Sequence, residues 1–288
     1  MMNNNFVGSN YSKITYVYFI LPIILTIVIS VLLAQFTVSI QLQSNGLGSL
    51  FDSADDFFVT YNIFFIILIS IVSLLIFFRL FSKRSELAIR LLVSTFIFSG
   101  ILAVLLFTKL FFNTLNLQFP LILIVVTILT YIAAYFGYLV IIDNISNRMR
   151  NTLFIICSGI LGSFFGVLVP AFPIILILLI LSCVDIILIK RRTVEKIFGE
   201  IAYEKMMTEV TFSNKNWGIG IGDLTCYSIV VSNTAINFGL LSGAISLLLI
   251  LTGSFISLRI TYRSGRLPGL PISIILGLVP AIIHLFLM

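Results

Sequence analysis

The chain is predicted to fold as an all-α, polytopic membrane protein of nine transmembrane helices, and three observations lead there. Hydrophobic residues make up 60% of its 288 residues and charged residues only 10%, where a soluble globule carries roughly 25% charged residues. Its mean hydropathy is +1.19. The apolar residues gather in runs of about 20, the length that crosses a hydrocarbon core of about 30 Å. Lipid must therefore solvate most of the surface. That excludes a cytosolic enzyme, a nucleic-acid-binding module and a secreted disulfide scaffold.

The runs follow one another along the chain. The first, Thr15–Ala34, comes after Lys13 and is longer than a signal-peptide core, so it is expected to be retained as a span. The second, Phe57–Phe78, follows a loop holding Asp52, Asp55 and Asp56. The third and fourth, Leu87–Leu110 and Phe119–Ile142, are flanked by Glu86 and Asp143. The fifth and sixth are Thr152–Val169 and Phe172–Ile189. The seventh, eighth and ninth are Trp217–Phe238, Leu240–Leu258 and Leu267–Met288, with the seventh and eighth joined tightly at Gly239.

Nine spans place every lysine and arginine except Lys109 on one side. The positive-inside rule then puts the amino terminus in the cytosol and the carboxyl terminus outside. An even number of spans would break the separation. The net charge of +6 is thus a topology signal, and no nucleic-acid partner is expected. The longest connection, 190–216, carries Val194, Ile197, Phe198 and Ile201 at helical spacing among acids and lysines. It is expected to hold an amphipathic helix on the membrane surface. It divides a six-helix part, 1–189, from a three-helix part, 217–288.

No metal or cofactor is expected. Cys157, Cys183 and Cys226 are far apart in apolar runs, and His284 is the single histidine, whereas metal sites need clustered ligands. The cysteines suit helix packing, and His284 suits packing near the outer end of the ninth span. Gly162/Gly166 and Gly239/Gly243 have the spacing of small-residue helix interfaces.

Two acids stand apart from the rest. Asp185 and Asp223 lie inside apolar runs, where a carboxylate costs on the order of 3 kcal/mol. Asp185 is five residues before Lys190 and Asp223 six after Trp217. At 1.5 Å per residue, both come to lie roughly 7–10 Å beneath the cytosolic boundary on antiparallel neighbours. Side by side they would share one proton. That is the working state of an aspartic protease, with one carboxylate activating water and the protonated partner polarising the scissile carbonyl. Gly218, Gly220 and Gly222 precede Asp223 at alternate positions. They weaken a helix there and let another backbone come close. At the same face, Leu267-Pro268-Gly269-Leu270-Pro271 opens the ninth span with two prolines. This keeps the backbone irregular and free to pair with an extended peptide.

Together these elements resemble the presenilin family of intramembrane aspartyl proteases. Gly220-Ile221-Gly222-Asp223 looks like that family's GxGD motif, Pro268-Gly269-Leu270 is similar to its PAL motif, and Asp185 matches the acid of its sixth span. The motifs cover only Asp185 to Ser273, with Val184 where the family usually has Tyr and Gly269 in place of the PAL alanine. The resemblance implies a presenilin-like fold and an aspartic endopeptidase that cleaves transmembrane segments of other membrane proteins within the lipid bilayer. It implies Asp185 and Asp223 as the catalytic pair, and Gly220, Gly222, Pro268, Gly269 and Leu270 as substrate-binding. Nothing in the sequence requires accessory subunits. The alternative is a proton- or cation-coupled transporter or leak channel using the two acids as a relay, against which stand the off-centre acids and the lack of an internal repeat.

Overall fold

The computed structural model describes residues 16–44, 85–114, 119–191, 199, 205–206, 208–214, 217–264 and 270–287. Eight helices and one short hairpin make up the described residues. The helices are α1 (Tyr16–Ser44), α2 (Ser85–Thr114), α3 (Phe119–Ile141), α4 (Asn147–Leu168), α5 (Ala171–Arg191), α6 (Ile221–Phe238), α7 (Leu240–Ser264) and α8 (Leu270–Leu287). Each of the predicted spans has its helix except the second, Phe57–Phe78, which lies outside the described residues. The chain is thus an integral membrane protein. Five helices, α1 to α4 and α7, are long and apolar enough to cross a bilayer, and α5 and α8 carry shorter apolar stretches.

The interior is apolar, as in a soluble bundle, but so is the surface. Large apolar side chains point outward, such as Leu241 at 76% and Phe286 at 85% exposure, where lipid takes the place of water. Helix α6 is the opposite case. It carries Ser228, Ser232, Asn233 and Thr234 fully or nearly buried, because α1, α4, α5, α7 and α8 all pack against it. Lipid cannot satisfy these polar groups, so protein does. Ser232 Oγ donates to Gly162 O at 3.1 Å. Asn233 Nδ2 donates to Gly166 O at 2.9 Å and to Val169 O at 3.0 Å. A Cβ on Gly162 or Gly166 would run into Ser228 or Ser232. The predicted small-residue seam is therefore the α4–α6 interface. Gly243 also packs closely, against Ala235. Gly239 instead ends α6 in the left-handed region (φ 92°), a turn rather than a packing position.

The structure departs from the sequence reading at Trp217. The expected helix starts four residues later, at Ile221, and Trp217–Gly220 is a strand, β2, paired antiparallel with β1 (Thr211–Asn214). The register sets Thr211 opposite Gly220 and Asn214 opposite Trp217. Alternate glycines disfavour helix, and Gly218 leaves room for Thr211, whose Oγ1 would lie 3.0 Å from an added Cβ. The backbone contact continues from Ile221 N to Val210 O at 3.2 Å.

Most of the predicted surface helix, 192–198 and 200–204, lies outside the described residues. Beyond it the chain folds back on the bundle. Lys205 Nζ is 2.7 Å from Glu86 Oε1 at the start of α2. Beside it, Arg90 Nη2 meets Asp143 Oδ2 at 2.8 Å and Nη1 donates to Ile141 O at 3.3 Å. The guanidinium thus caps the carboxyl end of α3.

Candidate active site

Asp223 sits in the first turn of α6, three residues after Gly220, the residue that caps the helix. Its carboxyl reaches back and accepts from the Gly220 N–H. This is the geometry of a capping-box acid, which satisfies one of the free donors at a helix start. Gly220 leaves the carboxyl room. A Cβ there would lie 3.3 Å from Asp223 Cγ and 3.4 Å from both carboxyl oxygens.

Asp185 lies on α5, half-buried, between the exposed Val184 and Ile186. Its carboxyl accepts from the backbone N–H of Leu270, the first residue of α8. That N–H also has no partner within its own helix, and the positive end of a helix dipole favours an acid there. Two helix starts therefore hold the two acids, one each. The carboxyls lie within electrostatic reach of each other, and α5, α6 and α8 pack mutually around them. Among the described residues no lysine or arginine pairs with either.

Of the other predicted site residues, Gly222 is exposed, and nothing lies within 4 Å of where its Cβ would be. Leu270 and Pro271, expected in irregular backbone, instead form the first turn of α8, because proline is tolerated there, and the Leu270 N–H is taken by Asp185. Pro268 and Gly269 lie outside the described residues. Among the described residues no cluster of His, Cys, Asp and Glu could hold a metal. Cys157 and Cys226 are buried as expected, whereas Cys183 is exposed on α5. His284 packs against Phe238, with ring centroids 5.4 Å apart, and its Nε2 lies 2.9 Å from Ser242 Oγ.

Sequence reasoning missed two features beside the acids. One is the hairpin that ends at Gly220. The other is a set of buried hydroxyls, Tyr227, Ser254 and Ser273, one each on α6, α7 and α8. Ser254 and Ser273 are 3.1 Å apart, Oγ to Oγ, and the Tyr227 hydroxyl is hydrogen-bonded to both. The only sequence signal was that Tyr227 follows Asp223 by four residues, one helical turn.

No family model matches the chain, and no curated protein matches it. Among solved structures, the fold is similar to that of a presenilin family intramembrane aspartate protease, with a TM-score of 0.53 and 16% identity. The likeness covers 93% of this chain and 99% of the other. At that identity it is a likeness of fold.

Proposed function

We propose that this membrane protein is an intramembrane aspartic endopeptidase, hydrolysing peptide bonds within transmembrane segments of other membrane proteins. One observation carries the reading. Two carboxyls from neighbouring apolar helices come within electrostatic reach, where an ionisable group is costly, and among the described residues neither has a counter-ion. The presenilin-like fold and the GxGD-like and PAL-like segments support it.

In this reading Asp185 and Asp223 share one proton. The ionised carboxyl takes a proton from water as the water oxygen attacks the scissile carbonyl carbon. The protonated carboxyl donates to the carbonyl oxygen. The tetrahedral intermediate then loses the amine, which leaves with a proton returned from the pair, and the C–N bond breaks. A helical substrate must first unwind, because its peptide bonds are shielded by their own hydrogen bonds. Gly220, Gly222 and the segment Pro268, Gly269 and Leu270 would border the extended strand. The open space above Gly222 suits this role. A two-stranded hairpin also has outer edges that can pair with a third strand.

The finer topology belongs to the same proposal: nine spans, the amino terminus cytosolic, the carboxyl terminus outside, and a cytosolic connection at 190–216 between a six-helix and a three-helix part. The test is cleavage of a single-span reporter co-reconstituted in liposomes. Asp185→Asn and Asp223→Asn should each lower the rate by about 10²–10⁴-fold or more with the fold retained. Full cleavage by either variant overturns the assignment. An ion flux through the liposomes lost in both variants, without any cleavage, would favour a relay instead.

A further inference from the structure

We propose that Tyr227 is a positioning residue for the acid pair, its hydroxyl fixing the start of α8 against the start of α6 and so setting the separation of Asp185 from Asp223. The inference rests on the protease reading above.

The route runs through two helical turns and one hydrogen-bond cluster. Tyr227 follows Asp223 by one turn of α6 and lies on the same face. Ser273 follows Leu270 by three residues of α8, and the Leu270 N–H holds Asp185. The Tyr227 hydroxyl is bonded to Ser273 and to Ser254 of α7. A loop therefore closes from Asp223 to Tyr227, across to Ser273, back to Leu270 and on to Asp185. Every link is either a rigid turn or a hydrogen bond.

The surroundings leave the cluster little freedom. Tyr227, Ser254 and Ser273 are 2%, 3% and 0% exposed, and Tyr227 belongs to an apolar core with Ile250, Ile274 and Leu278. Three hydroxyls offer three donors and twice as many acceptor sites, so they can satisfy one another without water. In low dielectric such a cluster is rigid, and removing one hydroxyl weakens the bonds of the others. Gly253 presses α7 onto the same spot, since a Cβ there would lie 2.6 Å from Ser273 Cα and 3.0 Å from its backbone N. A phenylalanine would fill the space of Tyr227 equally well, and the chain uses phenylalanine at 27 positions. The hydroxyl is the part that needs an explanation, and its partners include a serine on the helix whose first N–H binds Asp185.

The experiment compares steady-state cleavage of a single-span reporter in liposomes by the wild-type chain and by Tyr227→Phe, Ser273→Ala and the double variant. Asp223→Asn serves as the inactive reference, and Thr252→Ala, an exposed α7 hydroxyl bonded to Leu249 O, as the control. Tyr227→Phe should lower kcat by roughly 10- to 100-fold, the cost of misplacing reacting groups by about 1 Å, with KM within about twofold of wild type. The double variant should be no slower than the worse single variant, because both break one network. Thr252→Ala should match wild type. Wild-type kcat in Tyr227→Phe, in a preparation where Asp223→Asn is inactive, overturns this inference alone. So does a kcat that falls only in step with the folded fraction. Undiminished cleavage by Asp223→Asn overturns the protease reading, and this inference with it.

Discussion

At the scale of single residues, the two glycines before Asp223 have different work. Gly220 lies under the carboxyl, where an added Cβ would come within 3.4 Å of its oxygens. Gly222 faces open space. Gly220→Ala should therefore shift the acid by a few tenths of an ångström and lower kcat by up to about 10-fold. Gly222→Ala should leave the fold and kcat close to wild type and raise KM, because the methyl group would occupy the space assigned to substrate. Kinetics of the two variants on one reporter check both statements. Equal effects on kcat would contradict the distinction. The acids could be found in the sequence because an ionisable group inside an apolar run is rare and costly. Tyr227, Ser254 and Ser273 could not, because hydroxyls in such runs are cheap. Most here bond to their own helix, as Ser228 Oγ does to Leu224 O at 2.9 Å. Only the rotation of three helices shows that these three meet.

At the scale of elements, the approach to the hairpin is a strap held by charges. Lys205 binds Glu86 of α2, and Glu209, just before β1, stands among Arg90, Asp143, Arg150 and Lys205. Burial raises the Glu209 carboxyl above its ordinary 4.5, and Asp143 adds to this, while Lys205, Arg90 and Arg150 pull it down without cancelling it. The folded chain thus holds this proton more tightly than the unfolded chain. Its contribution to stability is present at acid pH and is lost as pH rises through the folded value. Glu209→Gln removes that loss. The Tm of the variant in detergent, relative to wild type, should increase between pH 4 and pH 8. A constant or falling difference would contradict the burial of this side chain. The hairpin escaped the sequence reading for a related reason. Its first strand, Thr211–Asn214, lies in a polar connection, where Val210 and Phe212 alone alternate with polar residues, too short a pattern to mark a strand. Its second strand begins an apolar run that reads as a span. Strand is favoured there by the pairing of the two segments, which neither segment reveals alone.

At the scale of the whole molecule, hydropathy located the helices because lipid demands about 20 apolar residues wherever a helix faces it. The rule holds for α1 to α4 and α7. It weakens for α6, which other helices surround and which can therefore carry serines and asparagines. That exception positions the acids. A polar helix packed against five others carries Asp223 within electrostatic reach of Asp185 on α5, and the starts of α6 and α8 supply the backbone donors. The most direct measurement of the central claim is photolabelling with a transition-state analogue of aspartic proteases, followed by mass spectrometry of the labelled peptides. Label on the segments around Asp185 and Asp223, lost in both Asp185→Asn and Asp223→Asn while each variant stays folded, is the predicted result. Label elsewhere in the bundle, or label undiminished by either substitution, would contradict it.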